Sequence, residues 1–194
     1  MGLWQTLTGR TTPKAANLDD LFLVPSAAIT LQTAAGLTPT GSGSVCYRGA
    51  SGAGFVQTQS DILALLRETP DAPEVDVSRD DFDFTWLQAH RDLAADLDGI
   101  SGLCTDLHAV NTTLEANGFG PGLLCSLVPF ADASGRRVGL VYLYKKGTFY
   151  PFAPTGPQSR DNLLEITVRD TLTAEIPMEK ELSGWLALWG APGL

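Results

Sequence analysis

One segment of the sequence carries four side chains that could support catalysis or metal binding, at a spacing typical of one helical face. They are Cys104, His108, Asn111 and Glu115, separated by four, three and four positions. A cysteine and a histidine four positions apart on a helix can bind one metal ion or each other. A thiolate paired with a histidine and an orienting asparagine is also the arrangement of a cysteine hydrolase.

The rest of the sequence does not complete such a site. Catalytic triads are assembled from distant segments, and a stripe along one helix cannot surround a substrate. A zinc ion would need two further ligands, and the remaining candidates, Cys46, Cys125 and His90, have no metal-ligand spacing. The sequence therefore predicts no metal site, no cofactor and no catalytic residue. The alternative for the stripe is structural, with the thiol in the core and the polar groups hydrogen-bonded nearby.

Motifs for phosphate, dinucleotide and acyl-transfer chemistry are absent from the sequence. It contains neither the G-x-x-x-x-G-K-[ST] phosphate loop nor the G-x-S-x-G nucleophile elbow. The glycine-rich segments at 41–43 and 49–54 lack the strand-to-helix context of a dinucleotide site. ATP hydrolysis of the familiar kind is therefore disfavoured.

The helix that carries the polar stripe is defined by a second, apolar stripe. Spacings of four, three and four between Leu103, Leu107, Val110 and Leu114 predict a helix over 102–117 with one buried face. Three strands joined by short turns are predicted to follow it, over 123–130, 138–144 and 148–152. Links of hairpin length require antiparallel pairing of these strands.

The remaining segments complete an α+β pattern. Short strands are predicted at 45–48 and 54–57, then a helix capped by Ser60, and a last helix over 158–173. In the alternating strand 81–86, Phe82, Phe84 and Trp86 share one face. We expect an antiparallel sheet of about five to six strands with helices packed mainly on one face. This layout is similar to type III secretion-chaperone and YbjN-like domains, which are binding modules.

Basic and aromatic side chains alternate around one predicted turn, in the segment 142–155. Large aromatic residues either pack in a core or bind a partner at the surface, and both interpretations stay open here. The hypothesis for a partner-binding surface comprises Lys145, Lys146, Phe149, Tyr150 and Phe152, to which Trp4 near the N-terminus is added.

Composition limits the classes of partner. The chain has 194 residues with a formal net charge of −9, which disfavours binding to nucleic acid and adsorption to an anionic membrane by charge alone. An odd number of widely spaced cysteines, Cys46, Cys104 and Cys125, is typical of a reducing cytoplasm. No run approaches the roughly 20 apolar residues of a membrane span. We therefore expect a cytoplasmic location.

The sequence predicts two parts of unequal size. Residues 1–14 form an N-terminal amphipathic segment and linker, because Leu3, Trp4 and Leu7 share one side of a helix. Residues 15–194 form a single α+β domain with a C-terminal tail that contains Trp185 and Trp189. Membrane contact is expected to be at most indirect or through the N-terminal segment.

Three segments carry a resemblance to a known family. The segment 142–155, together with 107–114 (LHAVNTTL) and 188–193 (LWGAPG), resembles the PspA-associated proteins of type B, PspAB. The resemblance implies a role in the envelope-stress (phage-shock) response, with PspA, a long coiled-coil protein that assembles on damaged membranes, as partner. The resemblance implies a non-enzymatic adaptor that is held at the inner face of the membrane through that partner. It implies no catalytic residue in this sequence.

Two alternatives to an adaptor remain open from the sequence. One is a chaperone-like module for a secreted or membrane client, which predicts a stable dimer with an exposed apolar patch. The other is an enzyme of unknown type that uses Cys104 and His108.

Overall fold

The computed structural model describes residues 17–49, 53–68, 73–94 and 99–194. Its helices are α1 (Val24–Ala35), α2 (Ala53–Arg67), α3 (Gly99–Ala116) and α4 (Asn162–Leu172). Its strands are β1 (Thr38–Pro39), β2 (Ser42–Arg48), β3 (Glu74–Arg79), β4 (Phe84–His90), β5 (Leu123–Ala131), β6 (Arg137–Leu143), β7 (Thr148–Phe152), β8 (Pro154–Gly156) and β9 (Ser159–Arg160). Short 3₁₀ turns lie at Leu18–Leu23, Gly120–Gly122 and Leu182–Gly184.

Seven of these strands form one antiparallel sheet. Its order is β3-β4-β2-β5-β6-β7, and β1 pairs with the far end of β5. Strands β8 and β9 form a separate hairpin. The predicted α+β class and antiparallel sheet are confirmed. With β1 included, the sheet has seven strands, one more than the five to six that were expected.

The helices cover one face of the sheet. The larger core cluster joins buried residues of α1, α3 and α4 to the inward side chains of β2, β4, β5, β6 and β7. Helix α1 ends because Gly36 takes a left-handed conformation (φ +66°) and its N–H donates to the carbonyl groups of Leu31 and Gln32. Helix α4 begins where the Asp161 carboxylate accepts a hydrogen bond from the N–H of Leu164.

The prediction of a strand at 54–57 is wrong, because this segment forms the first turn of α2. Thr58 and Ile62 are both buried and lie four positions apart, which continues a helical stripe through the segment. The strand predicted over 81–86 begins three residues later, at Phe84. Phe82 instead lies in the turn between β3 and β4, where its side chain is 76% exposed.

The second face of the sheet is covered by the C-terminal tail, residues 176–194. A second core cluster contains Trp185 and Ala191 from the tail, packed on inward side chains of β2, β4, β5, β6 and β7. The tail first runs beside β7, where the N–H of Phe149 donates to the carbonyl of Pro177 and the N–H of Glu179 donates to the carbonyl of Phe149. It then crosses the sheet.

Four contacts fix the tail as it crosses. The indole of Trp185 stacks on Tyr150, with ring centroids 6.3 Å apart, and its Nε1–H donates to the carbonyl of Glu179 at 3.1 Å. The Tyr150 hydroxyl donates to the carbonyl of Leu186 at 3.0 Å. The Arg160 guanidinium donates to the carbonyl of Trp185 at 3.1 Å. The tail is therefore part of the packed core.

Replacing Trp185 by alanine tests this role of the tail. We expect the Trp185→Ala variant to lose about 3–5 kcal/mol of unfolding free energy, because it empties a buried aromatic site and removes a hydrogen bond. The measurement is urea unfolding followed by circular dichroism. Leu182→Ala is the control, since Leu182 lies in the same tail but is 57% exposed, and should lose less than about 1 kcal/mol. Equal losses in the two variants would contradict the assignment.

Candidate functional site

A cavity of about 690 Å³ lies between the second face of the sheet and the C-terminal tail. Its floor is made of side chains from five adjacent strands, and one wall is the tail from Ser183 to Trp189. The opposite wall is the turn between β3 and β4. The volume falls within the usual range of small-ligand sites, about 300–1,000 Å³.

The floor depends on strand register. Cys46 on β2 lies opposite Trp86 on β4 and opposite Cys125 on β5, and Cys125 in turn lies opposite Leu143 on β6. Partners across antiparallel strands point to the same side, so these side chains form one row. Tyr150 on β7 lies opposite Val141, two residues from Leu143 on β6, so it faces the same side of the sheet next to this row.

The two cysteines of the floor lie opposite each other on β2 and β5. Both cysteines are free and buried. The hydrogen bond with Cys125, together with burial, raises the pKa of Cys46 far above its ordinary value. The pair therefore adds two buried sulfur atoms to the cavity floor.

The turn between β6 and β7 brings two cations to the cavity. Lys145 and Lys146 both line it and both are exposed. The Lys146 ammonium lies 2.8 Å from a carboxylate oxygen of Glu179 in the tail. Lys145 makes no ion pair with any of the residues that the structure describes. Three members of the hypothetical partner-binding set, Lys145, Lys146 and Tyr150, thus meet at one site.

Phe149 and Phe152 belong to that set by sequence but lie inside the protein. Phe149 is 1% exposed and packs on Tyr142 with centroids 4.9 Å apart. Phe152 is fully buried between the Arg160 guanidinium and the ring of Trp189. In this conformation neither ring is open to a partner, and their role in binding stays a prediction. Trp4 lies outside the described residues.

The turn between β3 and β4 was missed as part of a site. The Asp80 carboxylate accepts hydrogen bonds from the Trp86 indole at 3.0 Å and from the backbone N–H groups of Phe82 and Phe84 at 3.0 and 2.9 Å. These bonds fix the turn so that Phe82 forms an exposed wall of the cavity. The shared face of Phe82, Phe84 and Trp86 was the sequence signal that could have found it.

The polar stripe lies on α3, which packs on the other side of the sheet. Its three polar members, His108, Asn111 and Glu115, each have a different partner there, and Cys104 is buried in the core. The His108 ring contacts an Asp19 carboxylate oxygen at 3.1 Å, Asn111 donates to Ser126 at 2.8 Å, and Glu115 accepts from the Tyr144 hydroxyl at 2.7 Å. Burial, helped by the charge of Asp106, raises the pKa of Cys104 to about 12. The stripe as described is not organised as a thiolate–imidazole pair.

Comparison with protein families gives the decisive match. The model of the family PspA associated protein B matches residues 1–193. The chain belongs to the PspA associated protein B family. The resemblance found from three sequence segments is confirmed, and the family's name indicates association with PspA. No curated protein and no solved structure matches the chain, so the likeness to YbjN-like and secretion-chaperone domains stays unconfirmed.

Two structural observations accompany this family assignment. Among the described residues of this PspA associated protein B family member, no three His, Cys, Asp or Glu side chains come together as metal ligands would. Every described helix is too short or too polar to cross a membrane.

The ion pair between Lys146 and Glu179 links the lysine turn to the tail in this family member. Burial acts to raise the pKa of Glu179, but hydrogen bonds from Lys146, the N–H of Glu181 and the Thr148 hydroxyl outweigh it and hold the pKa below its ordinary value. A carboxylate with a lowered pKa stabilises the fold above its unfolded pKa, and this stabilisation is lost as the pH falls through the folded value.

The Glu179→Gln variant tests this link. We expect it to unfold about 1 kcal/mol more easily than the parent at pH 7, a modest value because Lys146 is half exposed. The difference should begin to shrink as the pH falls below the ordinary pKa of a glutamate, about 4.3, and should vanish once the pH has passed through the lower folded value. Urea unfolding at several pH values measures it, with Glu181→Gln as control, since Glu181 is exposed and contributes only its backbone N–H to this network. A difference that does not change with pH would show that the charge of Glu179 is not responsible.

Proposed function

We propose that this protein is a non-catalytic adaptor that binds PspA through the lysine turn and the turn between β3 and β4, which line the same cavity. The family's name supports PspA as the partner. The single observation that supports the surface is that the cavity is lined both by Lys145, a cation with no ion pair in the described part of the chain, and by the exposed ring of Phe82.

Charge favours an acidic partner at this turn. The chain as a whole carries a net charge of −9, so the two lysines are a local exception on a surface that otherwise repels acidic proteins. Lys146 is already paired with Glu179, which leaves Lys145 for a partner's carboxylate. A long coiled-coil protein such as PspA offers helices with charged outer faces, and Phe82 would pack on apolar side chains beside those charges.

The lysine turn is rigid, which favours binding. The N–H groups of Lys146 and Gly147 both donate to the carbonyl of Leu143, at 3.1 and 2.9 Å. Gly147 takes the left-handed conformation (φ +64°) that closes the turn. Because the turn is already ordered, a partner does not have to fix it on binding, and less conformational entropy is lost.

An adaptor for PspA would act in the envelope-stress response. We infer a cytoplasmic location, with access to the inner face of the membrane through PspA rather than through a span of its own. The charge of the chain is consistent with this, since a net negative surface is repelled by anionic lipids.

A chaperone-like module is the second candidate function. It is favoured by the exposed apolar side chains around the cavity, of which Phe82 and Leu186 are 76% and 57% exposed. This candidate predicts a stable dimer and binding to several unrelated clients. Light scattering that finds a monodisperse monomer would count heavily against it.

The adaptor proposal predicts a specific charge dependence. We expect Lys145→Glu to weaken binding to purified PspA by about fivefold or more, because an attractive pair becomes a repulsive one. The measurement is biolayer interferometry at two salt concentrations, and the loss should be larger at low salt. Tyr150 is not a useful probe of this surface, because its ring is fully buried and its removal would damage the fold.

The matched control is Arg137→Glu. It makes the same change in charge at the opposite end of β6, on an exposed side chain. Wild-type affinity in this variant, with a loss in Lys145→Glu, would support the proposed surface. Equal loss in both variants would point to net charge instead, and no binding of PspA by the parent protein would overturn the adaptor proposal.

A further inference from the structure

The inner surface of the cavity is built for a hydrocarbon rather than for a polar ligand. Its floor carries Trp86, Leu143, Tyr150 and the two buried cysteines, Cys46 and Cys125. The polar groups of the two aromatic rings are already hydrogen-bonded within the protein. The Trp86 indole donates to Asp80, and the Tyr150 hydroxyl donates to the carbonyl of Leu186. A polar ligand inside the cavity would lose its hydration and find few partners.

One end of the cavity differs in charge from the other. Lys145 and Lys146 lie on the turn between β6 and β7, and Asp80 lies on the turn between β3 and β4. Three strand spacings separate β4 from β6 in the sheet order, which is about 14 Å. Asp80 is held by three internal donors, whereas Lys145 has no ion pair in the described part of the chain. A negatively charged group therefore fits at the lysine end.

We propose that this cavity binds a single-chain anionic amphiphile of the fatty-acid class. The alkyl chain lies along the row of Trp86, Cys46, Cys125 and Leu143, and the carboxylate meets Lys145. The cavity's size suits a drug-sized ligand, and the tail forms the wall that encloses the chain. This site goes beyond the proposed adaptor function and does not require it, because the ligand needs no PspA.

The ligand test uses the full chain and simple amphiphiles below their micelle concentrations. Decanoate and dodecanoate are titrated by isothermal calorimetry, with dodecanol as the uncharged analogue. We expect one site per chain, and an affinity that rises about fourfold for each added methylene. Lys145→Gln should weaken dodecanoate binding and leave dodecanol binding unchanged. An affinity that does not depend on chain length would overturn the proposal.

A second variant blocks the cavity without touching the lysine turn. Ala187 lines the cavity from the tail and is exposed, so Ala187→Trp adds bulk to the site without entering the core. We expect it to weaken dodecanoate binding at least about tenfold. Leu163→Trp, on an exposed position of α4, is the control and should bind normally. If Ala187→Trp fails to fold by circular dichroism, Ser183→Trp on the same wall replaces it. Normal binding by a folded cavity variant would overturn the proposal.

The thiols provide an independent readout of occupancy. Cys46 and Cys125 line the cavity, whereas Cys104 is buried on the helical side. Bound dodecanoate should slow the reaction of the first two with an aromatic disulfide reagent and leave the third unchanged, as resolved by mass spectrometry of peptides. Equal protection of all three cysteines would indicate a general change in stability and overturn the assignment.

Two further binding experiments distinguish a fatty acid from other occupants of the cavity. Binding to vesicles of phosphatidylglycerol without binding of dodecanoate would overturn the proposal in favour of a membrane surface. Binding of an acidic amphipathic peptide, again without dodecanoate, would overturn it in favour of a helix-docking groove. Because Ala187→Trp keeps Lys145 and Phe82, its affinity for PspA reports on the adaptor surface separately from the amphiphile site.

Discussion

Strand β5 is buried on both of its faces, and this requirement shapes the rest of the structure. Side chains of successive residues point to opposite sides of a strand, so a run that is apolar throughout needs cover above and below. Helices α1, α3 and α4 provide that cover on one side. On the other side the cover is an irregular segment, the C-terminal tail, held by stacking and by hydrogen bonds from Tyr150 and Arg160 to its backbone carbonyls. A cavity remains between this segment and the sheet.

Much of the architecture follows from local patterns in the sequence. The apolar stripe Leu103–Leu107–Val110–Leu114 identified α3, and the short turns in the last third of the chain identified the β5–β6–β7 meander and its antiparallel pairing. The error at α2 has a physical cause, since Phe55 and Val56 alone suit a short strand as well as a helix. The periodicity that decides between them comes from Thr58 and Ile62, further along the chain.

The candidate site was harder to predict because it depends on contacts between distant segments. The sequence brought Lys145, Lys146 and Tyr150 together, since they are neighbours along the chain. The row formed by Cys46, Cys125 and Trp86 depends on strand register, which a single sequence does not specify. Alternation showed that Phe149 and Tyr150 point to opposite faces of β7, but it could not show that both faces are covered. The polar stripe on α3 is the opposite case. Regular spacing placed four groups on one face, but tertiary packing buried Cys104 in the core and gave the other three separate partners.

The pairing of the tail with β7 also has a consequence for how copies of the sheet can meet. The parallel bridge between Phe149 and Met178 occupies the outer edge of β7, so that edge presents no free row of backbone donors and acceptors there. In the described part of the chain the other edge, β3, has a partner on one side only and carries the charges of Glu74, Asp76 and Arg79. Pairing through the β3 edges of two copies would use the same surface on both, and such an isologous contact closes at a pair.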